Sequence, residues 1–174
     1  MRLFAGLGRT DYQDVLRAIG RLLDIEGACA VRLLERDDGL LVQLRRASDP
    51  RGGFETRRLG DAAILELMHG AYLRRGTGTI STLRTGHLGP GGASYQDLLR
   101  AVGRVLDSQR LREVRLVERA GGVTIQARPA GELSGFVTYR LSDDALRAWV
   151  LETLIQRETS DLVYAFPDHA PGRA

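Results

Sequence analysis

The stretch "TDYQDVLRAIGRLLD", residues 10–24, is written nearly a second time as "ASYQDLLRAVGRVLD", residues 93–107. Setting Tyr12 through Arg45 against Tyr95 through Arg128 gives identity at 18 of 34 positions without a gap. With one residue dropped in the loop that follows, Phe54, Thr56, Arg58, Leu59 and Asp61 meet Phe136, Thr138, Arg140, Leu141 and Asp143. This reads as a tandem duplication of a unit about 70 residues long, joined by "GTGTISTLRTGHLGPGG". The expected units are residues 1–84 and 85–174, either separate or sharing one core.

Periodicity supplies the elements of one unit. Tyr12, Val15, Leu16, Ile19, Leu22 and Leu23 make an apolar stripe at helical spacing, with Gln13, Asp14, Arg17, Arg21 and Asp24 opposite. Asp11 and Ser94 stand where a side-chain oxygen can cap the helix. "VRLLER" and "VRLVER" then lead through Asp-Asp-Gly or Ala-Gly-Gly turns into "LLVQLR" and "VTIQAR", the pattern of a β-hairpin. "FETRRL" and "FVTYRL" follow as a third strand. "GDAAILELMHGAYLRR" and "SDDALRAWVLETLIQR" close each unit as a second helix. The expected fold is α+β: two α-β-β-β-α units, antiparallel sheets with helices on one face, and a pseudo-two-fold relation between the halves. A further short strand is expected after each second helix, at "TISTLR" (79–84) and "LVYAF" (162–166), and a loose tail at "PDHAPGRA". Gly20 and Gly103 interrupt the first helices where glycine costs about 0.5–1 kcal/mol relative to alanine, which predicts that another backbone passes close by.

Composition narrows the function. All 25 basic residues are arginine, and lysine and asparagine are both absent, the mark of a GC-rich coding sequence. The net charge is only +3 and neither half is a basic arm. Without lysine there is no Walker-type phosphate loop and no Schiff-base or pyridoxal chemistry. A single cysteine, Cys29, excludes an intrachain disulfide and gives no zinc-site spacing. No apolar run reaches the ~20 residues that span a bilayer, and no signal-type stretch follows Met1, so a cytoplasmic protein with no membrane partner is expected.

Catalytic groupings are weak. His69 falls within a helix, His87 and His169 in Gly- and Pro-rich loops, and nothing pairs them with a nucleophile. Asp37-Asp38 reads as a turn and Asp143-Asp144 as a helix start. The glycine-rich joint before the second copy of the helix lacks a full phosphate-binding fingerprint and reads as a hinge. No enzyme activity, cofactor or metal is expected.

The informative surface is the sheet face away from the helices. If Leu40, Val42 and Leu44 point inward, alternation turns Leu41, Gln43 and Arg45 outward beside Arg32, Leu34 and Arg36. The second copy repeats this with Arg115, Val117, Arg119, Thr124, Gln126 and Arg128, and Val137 and Tyr139 are expected alongside. Arg32, Arg36, Arg45, Arg115, Arg119, Arg128 and Tyr139 are therefore the candidate binding residues, with Glu35 and Glu118 expected to pair with neighbouring arginines. Such a face suits sheet-on-sheet packing or self-association, a protein partner anchored by arginine and aromatic side chains, or nucleic acid held through phosphates with Tyr139 as a stacking platform. A non-enzymatic protein-binding or assembly module is the first expectation, and nucleic-acid binding the alternative. The element order is similar to that of the double-stranded-RNA-binding domain, and the duplicated halves are similar to the saddle of the TATA-binding protein. The RNA-binding mode requires basic residues at the start of the second helix, where this chain has Gly60-Asp61 and Ser142-Asp143-Asp144.

Overall fold

The computed structural model describes residues 11–73, 93–130 and 135–165, with side chains to Gly70 in the first segment and to Gln156 in the last. Helix α1 (Tyr12–Ile25) is followed by strands β1 (Ala28–Arg36), β2 (Gly39–Arg46) and β3 (Glu55–Leu59) and helix α2 (Asp61–Leu73). Helix α3 (Tyr95–Ser108), strands β4 (Leu111–Arg119), β5 (Gly122–Pro129) and β6 (Val137–Ser142) and helix α4 (Asp143–Ala165) repeat that order.

The six strands form one antiparallel sheet in the order β3-β2-β1-β4-β5-β6. Two sheets packed face to face are thus not what forms. The halves instead join edge to edge, β1 against β4, with Arg32 opposite Val117, Leu33 opposite Leu116 and Leu34 opposite Arg115. This union consumes the two inner edges and leaves β3 and β6 at the rims.

Burial follows the pleat. Leu33, Leu40, Val42 and Leu44 from one half, and Leu116, Val123, Ile125 and Ala127 from the other, are buried with the stripes of α1 and α3 and with Ile64, Leu146 and Val150 of the second helices. They make one continuous hydrophobic cluster to which both halves contribute. Burial of this apolar surface on a single side is the main force holding the sheet flat against its helices.

At the centre of that layer α1 and α3 lie directly against each other. A Cβ on Gly20 would collide with the backbone of Tyr95 and Gln96, and one on Gly103 with the backbone of Tyr12 and Gln13. The two helical glycines are therefore the contact points of the helix pair. Each helix N-terminus also ends on the other's carboxylate. Asp107 accepts the backbone N–H groups of Tyr12 and Gln13, both at 2.9 Å, and Asp24 accepts those of Tyr95 at 2.8 Å and Gln96 at 3.0 Å. Asp11 makes no side-chain cap, whereas Ser94 accepts from Asp97 N at 3.1 Å. The expected solvent position of Asp24 is thus replaced by a cap across the helix pair, where a carboxylate also meets the positive end of the helix dipole.

The terminal strand expected at "LVYAF" does not form: α4 continues through Leu162 to Ala165. The strand expected at 79–84, the joint, His87, His169 and the tail lie outside the described residues. No helix among the described residues is long and apolar enough to cross a membrane.

Candidate functional site

The helices among the described residues cover one face, where they pack with the inward strand residues, and the outward residues of the six strands form the other. Register pairs place side chains on a common face. Across the sheet, one outward row runs Arg58, Leu41, Leu34, Arg115, Gln126, Thr138, and the next runs Thr56, Gln43, Arg32, Val117, Thr124, Arg140. Gln43 donates to Thr56 Oγ1 at 3.1 Å and Gln126 to Thr138 Oγ1 at 3.5 Å. Leu34, Leu41 and Val117 are half-buried at the middle although no helix among the described residues lies over them.

Two phenyl rings organise the arginines. The guanidinium carbons of Arg32 and Arg45 stand 4.2 and 4.7 Å from the ring centre of Phe54. Those of Arg115 and Arg128 stand 4.5 and 4.9 Å from the ring centre of Phe136. All four distances fall within cation–π range, so each ring restrains two otherwise mobile cations. Phe54 and Phe136 were not among the sequence candidates, although both recur in the repeat directly after a glycine. Arg45 also donates to Pro50 O at 3.3 Å, and Arg128 meets the Glu113 carboxylate at 3.4 Å.

Of the candidates, Arg32, Arg45, Arg115 and Arg128 are thus brought onto one face in two pairs. Arg36 and Arg119 lie exposed at the turn ends of β1 and β4, opposite Gly39 and Gly122. Tyr139 is on the wrong side. It pairs with the buried Ile125, packs edge-on to Trp149 at 6.4 Å between ring centres, and hydrogen-bonds Gln109 through its hydroxyl. Val137, opposite the buried Ala127, turns the same way. The reason is the register of β6, whose Val137, Tyr139 and Leu141 alternate in phase with the inward residues of β5. In the first half the corresponding corner is ionic: Glu26 binds Arg46 at 2.5 Å and Arg57 at 2.9 Å, and Arg46 binds Glu55 at 2.7 Å.

Glu35 and Glu118 do not pair with neighbouring arginines. Glu35 accepts from Tyr12 Oη at 2.6 Å and from Val114 N at 3.0 Å; Glu118 accepts from Tyr95 Oη at 2.7 Å and from Val31 N at 2.9 Å. Each carboxylate therefore ties a helix tyrosine of its own half to a strand of the other. Burial pushes both carboxyl groups above their usual range despite these hydrogen bonds, and pushes the Asp24 and Asp107 carboxyls up likewise. Burial, reinforced by the adjacent glutamates, also raises Tyr12 and Tyr95, which remain phenols at neutral pH. These two tyrosines and four carboxyl groups thus all serve the junction between halves.

The remaining chemistry is sparse. Burial raises the half-buried Cys29 thiol, which makes it a poor nucleophile. His69 is exposed on α2. Among the described residues no cluster of His, Cys, Asp or Glu could hold a metal ion. Comparison with protein-family models, curated proteins and solved structures finds no match to this chain.

Proposed function

We propose that this protein is a non-enzymatic binding module, a pseudo-two-fold duplication whose open sheet face docks a protein partner. The observation that carries this reading is the composition of that face: half-buried Leu34, Leu41 and Val117 at its centre, ringed by arginines held on phenyl rings. Apolar centres with arginine and aromatic anchors are the common make-up of protein-docking surfaces. The matching contacts of the two halves, Asp24 with Asp107, Glu35 with Glu118 and Gly20 with Gly103, support the duplication.

Panning a random peptide library against the protein tests the reading. Peptides enriched on the wild type should be lost on Leu41→Glu and retained on Leu65→Glu, which places the same charge on an exposed position of α2. Failure to enrich any peptide, or enrichment indifferent to Leu41→Glu, would overturn it.

Nucleic-acid binding is the second reading, favoured by the same four arginines. Two features weigh against it: Tyr139 does not face the open side, and both phenyl rings that do are engaged by guanidinium groups. Binding of a single-stranded oligonucleotide that weakens steeply with salt would favour it.

A further inference from the structure

We infer that the open face is built for an extended acidic segment of a protein partner carrying carboxylates on alternate residues, an inference that rests on the docking reading above. The register sets its geometry. Arg45 is opposite Ala30, Arg32 opposite Gln43 and Val117, Leu34 opposite Arg115, and Gln126 opposite Arg115. Each step Arg45 to Arg32, Arg32 to Arg115 and Arg115 to Arg128 is therefore one strand across and two residues along. All three steps run the same way, so the four arginines form one diagonal through the junction of the halves, with a bulge between Arg112 and Arg115 beside its last step and Phe54 and Phe136 at its ends. Diagonal neighbours in an antiparallel sheet are about 7–8 Å apart, close to the advance of two residues of extended chain at about 3.3 Å each. Alternate side chains of an extended segment point to the same side, so carboxylates at every second position over roughly seven residues meet the four arginines in register.

Charge selects the partner. Two acids beside this face already pair with its arginines, Asp38 with Arg58 and Glu113 with Arg128. The Glu113 contact is an internal instance of a carboxylate at one of these positions. Leu34 and Leu41 on one side of the diagonal, and Val117 on the other, supply low-polarity flanks that strengthen charge-assisted hydrogen bonds. A second copy presenting the same face is disfavoured, because arginine diagonals would oppose each other.

Calorimetric titration of the full chain at low and moderate salt tests the inference. The probes are a peptide of about eight residues alternating Glu and Thr, its Gln-Thr counterpart, a peptide of equal charge with its glutamates in one block, and single-stranded oligo-dT of similar length. The alternating acidic peptide should bind, the Gln-Thr peptide about tenfold or more weaker, and the blocked peptide in between. Arg32→Gln with Arg115→Gln should remove most of the affinity, whereas Arg36→Gln with Arg119→Gln should leave it within about twofold. Equal binding of the Gln-Thr peptide, or loss on the Arg36/Arg119 variant alone, would overturn the acidic recognition while leaving the docking reading to the library experiment. Tighter binding of oligo-dT would overturn it in favour of nucleic acid. Absence of binding by the alternating peptide would overturn it outright.

Discussion

At the scale of single residues, Gly20 and Gly103 mark where the backbones of α1 and α3 meet. An alanine at Gly103 would place its Cβ 2.6 Å from the Gln13 Cα and backbone N, so helix backbones rather than flexible side-chain ends would have to move. The helix propensity gained, up to about 1 kcal/mol, is outweighed by overpacking of roughly 1–3 kcal/mol or more. Gly103→Ala and Gly20→Ala should both lower the denaturant midpoint. A stabilised variant would mean that the helices do not approach this closely. The glycines were legible in sequence as a close approach, whereas the carboxylate roles were not. Nothing local distinguishes Asp24 from a solvated helix residue, because its two acceptor contacts are to Tyr95 and Gln96, far along the chain.

At the scale of elements, the apolar stripes of α1 and α3 are fully buried, Leu16 at 2 % exposure and Leu99 at 0 %. Leu16→Ala or Leu99→Ala should each cost about 2–5 kcal/mol, lost transfer energy plus the cavity left behind, read from equilibrium unfolding. A loss no larger than that of an exposed substitution such as Leu65→Ala would show the helix faces to be misassigned. Helices and strands were legible because their periods are long and clean. The short run "LVYAF" was not, since five apolar residues cannot separate strand from helix by period, and α4 simply continues through them. In β6 Val137 and Tyr139, expected outward, turn inward with Leu141: alternation shows that they share a face but not which one, and a phenol suits either side of a rim strand, its ring packing inward while its hydroxyl reaches Gln109. The arginine diagonal depends on the register between β1 and β4. That register is set by contacts between halves and leaves no trace in either half's own pattern.

The whole molecule has one core, so both halves should unfold in a single cooperative transition, coincident by fluorescence of Trp149 and by far-ultraviolet circular dichroism. Two separated transitions would contradict a shared core. The buried carboxyls give this transition an unusual pH dependence. Asp24, Glu35, Asp107 and Glu118 are all raised by burial, so the folded state binds protons more tightly than the unfolded chain. Their contribution is greatest below the unfolded values near 3.8 and 4.5 and declines as pH rises through the folded values. Glu26 and Glu55 act oppositely. Burial pushes Glu26 up, but hydrogen bonds from Arg57 and Arg46 outweigh it, and a hydrogen bond from Arg46 holds Glu55 low, so their contribution is lost only on further acidification. The thermal midpoint should therefore rise as pH falls from neutral through the raised folded values of these carboxyls, and Glu35→Gln with Glu118→Gln should flatten that rise. A midpoint falling steadily from neutral pH would show that these carboxylates are stabilised as anions instead.

The central claim, that the open sheet face is the working surface, is tested most directly by amide shift mapping of the isotope-labelled protein during titration with the alternating Glu-Thr peptide. The account predicts the largest shifts at and beside Arg32, Leu34, Arg45, Arg115, Val117 and Arg128, with α1, α2 and α4 unmoved. Shifts concentrated on the exposed positions Leu65, Leu151 and Ile155 of the helical side, with the diagonal silent, would contradict it.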